Sequence, residues 1–299
     1  MGSWSPPVEA EQEVMNPNTK VAFQGELGAF SESAARAFFS QDVEVCPTPT
    51  FGAIFERVQS GQCTHGILPI ENSLAGSVHE NYDLLLEHEL CIVGEVKLRI
   101  VHHLIANPGV RIKDLKRVYS HPQALSQCRE FLRTLKGVDA VAVYDTAGAA
   151  KLIRDEGHRD AAAIASAQAA ADYELEVLRS GIESNHLNFT RFLVVSRTSA
   201  QAVENAKTSI VFSTKNIPGA LFKSLSVFAL RDIDLLKIES RPIHGRPWEY
   251  IFYLDFEGNM QEERCQKAIG HLEEIALFLR ILGSYPKGQE VNGRLHTRS

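Results

Sequence analysis

Residues 140–173, AVAVYDTAGAAKLIRDEGHRDAAAIASAQAAADY, decide the fold class of this chain. They contain two apolar runs, Ala140–Val143 and Ala161–Ala165, each with the length of a buried strand. Each run is followed by small polar residues, Asp145-Thr146 and Ser166, and then by an alanine-rich helical pattern. The alternation of strand and helix predicts an α/β fold built on a parallel sheet.

The same pattern occurs upstream, where a strand is followed by the polar cluster Ser120–Gln123 and then a helix. Because parallel strands end at the same edge of a sheet, the three polar clusters should lie side by side. Helix N-termini and small hydroxyls favour an anion, so this edge is a candidate anion-binding cleft. The lone His121 is more typical of a capped turn than of a catalyst.

Two turns earlier in the chain also place glycines and small polar residues directly after a strand. A strand at Lys20–Gln24 leads into Gly25–Glu32, with two glycines and with Ser31 as the expected helix cap. A strand at His65–Pro69 leads into residues 70–80, IENSLAGSVHE. The first turn lacks the third glycine of the dinucleotide fingerprint, so NAD is not expected. A strand–Gly–helix turn such as the first is common, and the alternative to a ligand site at the second is an ordinary capped helix start.

The segment Asn188–Phe192, NFTRF, stands at the entrance to an apolar run. Thr190 offers a hydroxyl, and Arg191 offers a guanidinium fork that matches a carboxylate. Together they suit a site for a small organic acid. The alternative is an exposed strand end with a surface arginine.

Length and composition narrow the choice of function. The 299 residues predict two or three domains, and the net charge of −6 argues against a nucleic-acid or anionic-membrane partner. The five cysteines have no metal-binding spacing and are typical of buried, reduced thiols in an intracellular protein. Residues 1–19 lack an apolar signal region and are expected to be a disordered tail.

A separate pattern follows a polar linker near residue 200. Its strands are predicted at Lys207–Ser213, Asp234–Ser240, Glu249–Phe256 and residues 281–286, and its helices at Leu221–Ala229 and Gln261–Leu279. The order βαββαβ predicts a ferredoxin-like domain over residues 207–286.

Five motifs, taken in order, resemble one enzyme family. They are GELGAFSE (Gly25–Glu32), ENSLAGSV (Glu71–Val78), SHPQA (Ser120–Ala124), DTAGAA (Asp145–Ala150) and NFTRF (Asn188–Phe192). The chain resembles the prephenate dehydratases and their siblings, the arogenate dehydratases. Its C-terminal part resembles an ACT regulatory domain, through Gly219-Ala220-Leu221 and Glu239-Ser240-Arg241-Pro242.

The resemblance implies a two-lobed, periplasmic-binding-protein-like α/β catalytic unit at 20–197, followed by a ferredoxin-like (βαββαβ) ACT domain at 207–286. Lobe one is expected at 20–97 and 181–197, lobe two at 98–180, and a tail at 287–299. The implied activity is that of a carbon–oxygen lyase that removes CO2 and water from prephenate to give phenylpyruvate in phenylalanine biosynthesis. No metal or cofactor is implied, and phenylalanine is the implied allosteric inhibitor.

The resemblance also implies site residues. The catalytic set is Thr190, Arg191, Phe192, Asn72 and Ser73. The substrate-binding set is Gly28, Ala29, Ser31, Glu71, Ser120, His121, Gln123 and Thr146. The phenylalanine-binding set is Asn216, Gly219, Ala220, Leu221, Glu239, Ser240 and Arg241.

Several alternatives stay open from the sequence. The substrate is prephenate or arogenate, and a non-catalytic sensor of aromatic acids is the alternative of another class. The C-terminal domain either binds phenylalanine or serves only for dimerisation. A homodimer or homotetramer is expected, with a cytoplasmic location and a plastid as the alternative.

Overall fold

The computed structural model describes residues 18–200, 205–243, 245–246 and 248–292. The chain divides into two compact units. The first unit takes the chain up to Tyr82, Val96–Phe192 and the chain from Gln289 onward, and the second takes Asp83–Glu95 and Leu193–Gly288. In the described ranges no helix combines the length and the apolar character needed to cross a bilayer.

The strands are β1 (Lys20–Gln24), β2 (Glu44–Thr48), β3 (His65–Asn72), β4 (Gly76–Ser77), β5 (Cys91–Arg99), β6 (His103–Ala106), β7 (Arg117–Ser120), β8 (Asp139–Ala142), β9 (Ala161–Ala165), β10 (Glu176–Ser180), β11 (Phe189–Ser196), β12 (Ala206–Ser213), β13 (Leu235–Pro242), β14 (Tyr250–Glu257), β15 (Phe278–Pro286) and β16 (Glu290–Asn292). The helices are α1 (Phe30–Phe38), α2 (Phe51–Gln59), α3 (His79–Glu87), α4 (Pro122–Gln127), α5 (Arg129–Thr134), α6 (Thr146–Asp155), α7 (Ala167–Asp172), α8 (Ala220–Ala229) and α9 (Glu263–Ile275).

The first unit has two lobes, each with its own sheet. The sheet of lobe one has the order β16-β5-β11-β3-β1-β2, with β4 paired to β3. Of β5 and β11, Val96–Arg99 and Phe189–Phe192 belong to the first unit. The sheet of lobe two has the order β10-β6-β9-β7-β8. The chain leaves lobe one after Arg99 and returns to it at Phe189, so it crosses between the lobes twice. This is the predicted two-lobed, periplasmic-binding-protein-like α/β arrangement, which is confirmed.

Three parallel strands in lobe two place the predicted polar clusters at one edge of the sheet. β7 pairs in parallel with both β8 and β9. His121, Asp145 and Ser166 each follow one of these strands and cap the next helix by accepting a backbone N–H. The sequence was sufficient to predict these caps, because a capping side chain binds the backbone of the helix that directly follows it in the chain.

The predicted cap at Ser31 is wrong. Helix α1 begins at Phe30 with Ala29 as its N-cap, and Ser31 lies inside the helix and is buried. The Glu32 carboxylate reaches back to accept the N–H of Gly28 at 2.7 Å. A side chain from within the helix therefore satisfies the turn before it, and no serine cap is needed.

The second unit contains a ferredoxin-like domain, as predicted. Its four-stranded sheet has the order β13-β14-β12-β15, and every neighbouring pair is antiparallel. Helices α8 and α9 supply Val227, Phe228 and Leu272 to a core that covers one face of the sheet. Asp83–Glu95 contacts the other face, where Arg280 donates to the carbonyl oxygens of Leu86 and His88.

Two other expectations need correction. Within the predicted C-terminal tail, β16 pairs in parallel with Lys97–Arg99, and a strand of three residues carries too little pattern to be recognised. Residues 293–299 and residues 1–17 of the predicted tails lie outside the described residues, and Thr19 is buried. All five cysteines are free thiols, but Cys46 and Cys91 are only partly buried.

Candidate functional site

A cavity of about 520 Å³ lies in the first unit and is lined by both lobes. This volume is within the usual range for a pocket that binds a small organic ligand. Four helices begin at its wall, with Phe30, Phe51, Gln123 and Thr146 from their first turns among the lining residues. Among the described residues that line the cavity there is no lysine or arginine. An anion at this wall would therefore be held by helix N-termini and neutral donors, against the charge of the Asp145 carboxylate that also lines the cavity.

Asn72 and Thr190 lie in contact at the cavity wall. Asn72 ends β3, and its Oδ1 accepts the backbone N–H groups of Leu74 and Ala75 at 3.1 and 2.9 Å. Its Nδ2 donates to Thr190 Oγ1 at 2.9 Å. Thr190 is 8% exposed, and its hydroxyl proton has no acceptor among the described residues. The hydroxyl is therefore held as a donor for a ligand.

The alternation of β11 separates the residues of the NFTRF motif. Thr190 and Phe192 point to the same side and line the cavity. Arg191 points to the other side of the strand, where its guanidinium lies 3.9 Å from the Glu71 carboxylate. Neither Arg191 nor Glu71 lines the cavity. The structure therefore places Arg191 and Glu71 apart from the residues that it brings together around the cavity.

Three other predicted residues do not line the cavity but stabilise the backbone around it. Ser73 Oγ donates to the carbonyl oxygen of Leu187 and accepts the N–H of Phe189. Ser120 is fully buried and donates to the carbonyl oxygen of Ile164. Gly28 has φ of +86°, and a Cβ there would lie 2.6 Å from the Cα of Ala169. Gly28 is therefore required for the close approach of the two chain segments.

The remaining predicted residues do line the cavity. They are Ala29, Ser31, His121, Gln123 and Thr146. Ala29, Ser31 and Thr146 come from the starts of α1 and α6, and His121 and Gln123 come from the start of α4. The structure thus brings these five together with Asn72, Thr190 and Phe192.

Sequence reasoning missed several cavity residues. Gln127 lies one helical turn after Gln123, and that spacing could have indicated a shared face. Phe30 and His102 pack edge to face with ring centroids 5.5 Å apart. His102 lies between two strands and carries no local signal. Burial lowers the pKa of His102 below its usual value, so the ring is neutral near pH 7.

Asp145 is the carboxylate at the cavity wall. Its two oxygens accept the N–H of Ala147 at 2.7 Å and the N–H of Glu26 at 3.2 Å. It therefore caps α6 and also ties lobe two to the GELGAFSE turn of lobe one. Within the described part of the chain, no three His, Cys, Asp or Glu side chains are grouped as a metal site.

The predicted phenylalanine-binding residues all lie in the second unit. Gly219 has φ of +77° and is the N-cap of α8, so the turn before Ala220 and Leu221 needs glycine. Asn216 donates to the carbonyl oxygen of Trp248.

Arg241 and Glu239 point to one side of β13, and Ser240 points to the other. The Arg241 guanidinium makes a two-pronged contact with the Asp83 carboxylate, at 2.5 and 3.4 Å. Arg241 is thus already paired with an anion of its own chain.

Comparisons with known proteins agree with these observations. The sequence model described as prephenate dehydratase matches residues 21–200. A protein of Arabidopsis thaliana named arogenate dehydratase/prephenate dehydratase 2, chloroplastic, is 51% identical over 278 residues, which is 89% of this chain and 72% of that protein.

Two solved structures have the same fold with a TM-score of 0.83 each. One is a prephenate dehydratase in complex with L-Phe from Arthrobacter aurescens, 33% identical, with 90% of each chain covered. The other, GqqA, is described as a novel type of quorum quenching acylase; it is 35% identical, and the match covers 90% of this chain and 98% of that chain.

Proposed function

Since the chain belongs to the prephenate dehydratase family, we propose that it converts prephenate to phenylpyruvate in phenylalanine biosynthesis. The observation that supports this most directly is the contact between Asn72 and Thr190. It leaves one hydroxyl donor at the wall of a cavity that also offers neutral donors and helix N-termini to an anion.

The reaction needs a proton donor and a way to hold a dianion. The ring carboxylate of prephenate leaves as CO2, and the electron pair of the broken C–C bond enters the ring. The ring hydroxyl departs as water with one proton that comes overall from the solvent, and the aromatic ring of phenylpyruvate results. Formation of that ring supplies the driving force, so the protein has to orient the substrate and assist the departing oxygen.

Thr190 is the residue placed to assist the departing oxygen. A threonine hydroxyl is a very weak acid, so its contribution is a preorganised hydrogen bond to the leaving group. Asn72 is a donor toward Thr190 and cannot accept the hydroxyl proton. The proton of Thr190 is therefore directed to the ligand.

The rest of the cavity accounts for binding. Phe192 and Phe30 supply ring faces for the cyclohexadiene, and the starts of α1 and α2 favour the carboxylates. Gln123, Thr146 and Ser31 are the proposed hydrogen-bond donors to carboxylate or hydroxyl groups. Arg191 is proposed to hold β11 through Glu71 and not to touch the substrate.

Arogenate is the second candidate substrate. The Arabidopsis relative is named for both activities, and a Petunia hybrida relative that is 50% identical is named arogenate dehydratase 2. Arogenate differs from prephenate only in the side chain, where an amino group replaces the keto oxygen. The same Thr190 chemistry serves either substrate.

Regulation by phenylalanine is proposed for the second unit. The related crystal structure from Arthrobacter aurescens is described as a complex with L-Phe. The glycine turn at Gly219 offers backbone N–H groups, and Arg241 offers a guanidinium to a carboxylate. Because Arg241 is paired with Asp83, binding there requires the ligand carboxylate to replace that of Asp83.

A homodimer or homotetramer is proposed from the free edge of the ferredoxin-like sheet. β13 lies at the edge of that sheet, and its Ile238 and Leu236 side chains are exposed. Exposed apolar side chains on an edge strand favour pairing with a second copy. Light scattering of the wild-type protein and of an Ile238→Lys variant tests this, and an unchanged mass for the variant would exclude that edge.

The relatives named as chloroplastic favour the plastid alternative for the location. Fluorescence microscopy of the tagged native protein tests this proposal. Signal confined to the cytoplasm would contradict it.

The function is tested by steady-state turnover of prephenate and arogenate, each measured with and without phenylalanine. Prephenate turnover that phenylalanine suppresses supports both the activity and its regulation. A strong preference for arogenate moves the chain to the second candidate. Saturable binding of both compounds without product would identify a sensor of aromatic acids and contradict the enzymatic proposal.

A further inference from the structure

A chain of side-chain hydrogen bonds runs along the cavity wall in the first unit, and we call it the amide chain. It joins Asn72, Asn188, Gln127 and His102. We infer that each member of the amide chain has one fixed role as donor or acceptor toward its neighbour. Asn188 and His102 are then positioning residues that hold both N–H groups of the Gln127 amide toward the cavity. This inference rests on the proposed function for its substrate.

Backbone groups fix the first member of the amide chain. Asn72 Oδ1 accepts two backbone N–H groups, from Leu74 and Ala75. A backbone N–H can only donate, so the oxygen of this amide must face them. The Asn72 NH2 group therefore faces the other way, toward Asn188 and Thr190.

The orientation of the Asn72 amide sets the orientation of each following amide. Asn72 Nδ2 donates to Asn188 Oδ1 at 2.8 Å, so the NH2 group of Asn188 is turned to Gln127. Asn188 Nδ2 then donates to Gln127 Oε1 at 3.1 Å. Gln127 thus presents its oxygen to the amide chain, and reversing any one amide would put two donors or two acceptors in contact.

The same logic sets the tautomer of His102. Its Nε2 lies 2.9 Å from Gln127 Oε1, which is an acceptor, so Nε2 must carry the proton. The other ring nitrogen, Nδ1, is buried and has no partner among the described residues. With a pKa lowered by burial, the ring stays neutral with the proton on Nε2.

Burial makes the direction of the amide chain costly to reverse. Asn188 is 0% exposed, and Asn72 and His102 are nearly as buried. Water cannot take the place of a lost partner there, and an unsatisfied buried polar group costs about 1–3 kcal/mol. One orientation of the Gln127 amide therefore dominates.

The consequence is a pair of N–H donors at the cavity wall. Gln127 Oε1 accepts from two side chains, whereas Gln127 Nε2 donates to no group in the described part of the chain. Gln127 is partly exposed and lines the cavity. Its NH2 group suits an oxygen of the dianionic substrate, and the reversed amide would present an acceptor and repel it.

The test is an Asn188→Asp variant, which keeps the shape of residue 188 and replaces its NH2 group by an acceptor. The Gln127 amide must then turn to donate to residue 188, and its nitrogen faces His102. The expected results are transfer of the His102 proton from Nε2 to Nδ1 and a rise in the KM for prephenate of about 10- to 100-fold. Nitrogen-15 NMR of the histidine rings reads the tautomer, with His102 assigned by the loss of its signals in His102→Gln.

His103 is the matched control within the same spectrum. It is also a histidine with a partnerless buried Nδ1, but it does not line the cavity, and its tautomer should not change in Asn188→Asp. A raised KM without a tautomer change at His102 would mean simple charge repulsion and would overturn the inference. An unchanged KM would overturn it as well.

Two measurements keep the inference separate from the folding of the variant and from the proposed function. The wild-type spectrum alone must show His102 protonated on Nε2, and a proton on Nδ1 would overturn the inference even if Asn188→Asp does not fold. Because that spectrum needs no substrate, failure of the protein to turn over prephenate would count against the proposed function and not against the direction of the amide chain.

Discussion

The cavity of the first unit and the sheet face of the second unit that Asp83–Glu95 contacts are organised by different kinds of polar group. Along the cavity wall the polar groups are mostly neutral amides and hydroxyls such as Asn72 and Thr190, and the buried Asp145 carboxylate is satisfied there by two backbone N–H groups. On the sheet face the buried groups are charged. Lys207 lies 2.8 Å from Glu95 and 3.3 Å from Asp255, and all three side chains are largely buried.

The two kinds of polar group differ in how many hydrogen-bond donors they leave available to a ligand. Neutral amides can be satisfied on one side and still present a donor on the other, as Thr190 does at the cavity. Buried ions need their counter-ions, because an unpaired charge away from water is very costly. The first unit therefore holds donors ready for a substrate, whereas in the second unit Arg241 can bind a ligand carboxylate only by giving up its pair with Asp83.

Removing the Thr190 hydroxyl should have the largest effect. Thr190→Val keeps the shape of the side chain and should lower kcat by about 10²- to 10⁴-fold, the usual cost of a lost transition-state donor or acid. Thr190→Ser, which restores a hydroxyl, should recover most of the rate. Equal rates for the valine and serine variants, measured with saturating prephenate, would remove Thr190 from the mechanism.

Removing the Lys207 charge tests whether the buried ions of the second unit depend on their counter-ions. Lys207→Met leaves Glu95 and Asp255 buried without their cation, and should lower the free energy of unfolding of the second unit by about 3–5 kcal/mol. The matched control is Lys287→Met, since Lys287 pairs with Glu257 at an exposed position and should contribute less than about 1 kcal/mol. Urea unfolding measures both. Similar losses for the two variants would show that the buried charges are not the source of stability.

Gly28→Ala tests whether the close approach of Gly28 to the backbone of Ala169 stabilises the first unit in addition to its hydrogen bonds. The new Cβ would meet the backbone of Ala169, and φ is unfavourable for alanine, so a loss of about 2–4 kcal/mol is expected. Gly157→Ala has a positive φ but no neighbour within 4 Å, and should cost only about 1 kcal/mol. Thermal unfolding of the two variants separates contact from conformation, and equal shifts would contradict the close approach at Gly28.

The smallest effect is expected at Asp83. Asp83→Asn weakens the pair with Arg241 and should lower the phenylalanine concentration needed for half inhibition by about 3-fold, because the ligand no longer displaces a carboxylate. Glu249→Gln is the control, since it removes an exposed partner of Arg246 in the same unit. Inhibition curves that are identical for Asp83→Asn and wild type would argue against partner exchange at Arg241.

Features set by neighbours along the chain could be predicted from the sequence. The strand and helix alternation, the caps at Asp145 and Ser166, and the glycine turn at Gly219 each depend on a few consecutive residues. The orientation of Arg191 could not be predicted, because it depends on which face of β11 meets the cavity. The orientation of the Gln127 amide and the role of His102 could not be predicted either, because they depend on hydrogen bonds between residues that lie 61 (Asn188 and Gln127) and 25 (His102 and Gln127) positions apart in the chain.

The central claim is that Thr190 donates to the ring hydroxyl of the substrate inside the cavity of the first unit. The most direct measurement is a crystal structure of the Thr190→Val protein with prephenate, since slow turnover should preserve the bound substrate. We expect the ring hydroxyl beside the side chain at position 190 and a carboxylate oxygen within hydrogen-bond distance of Gln127 Nε2. Prephenate bound with its hydroxyl turned away from position 190, or bound outside the cavity, would contradict it.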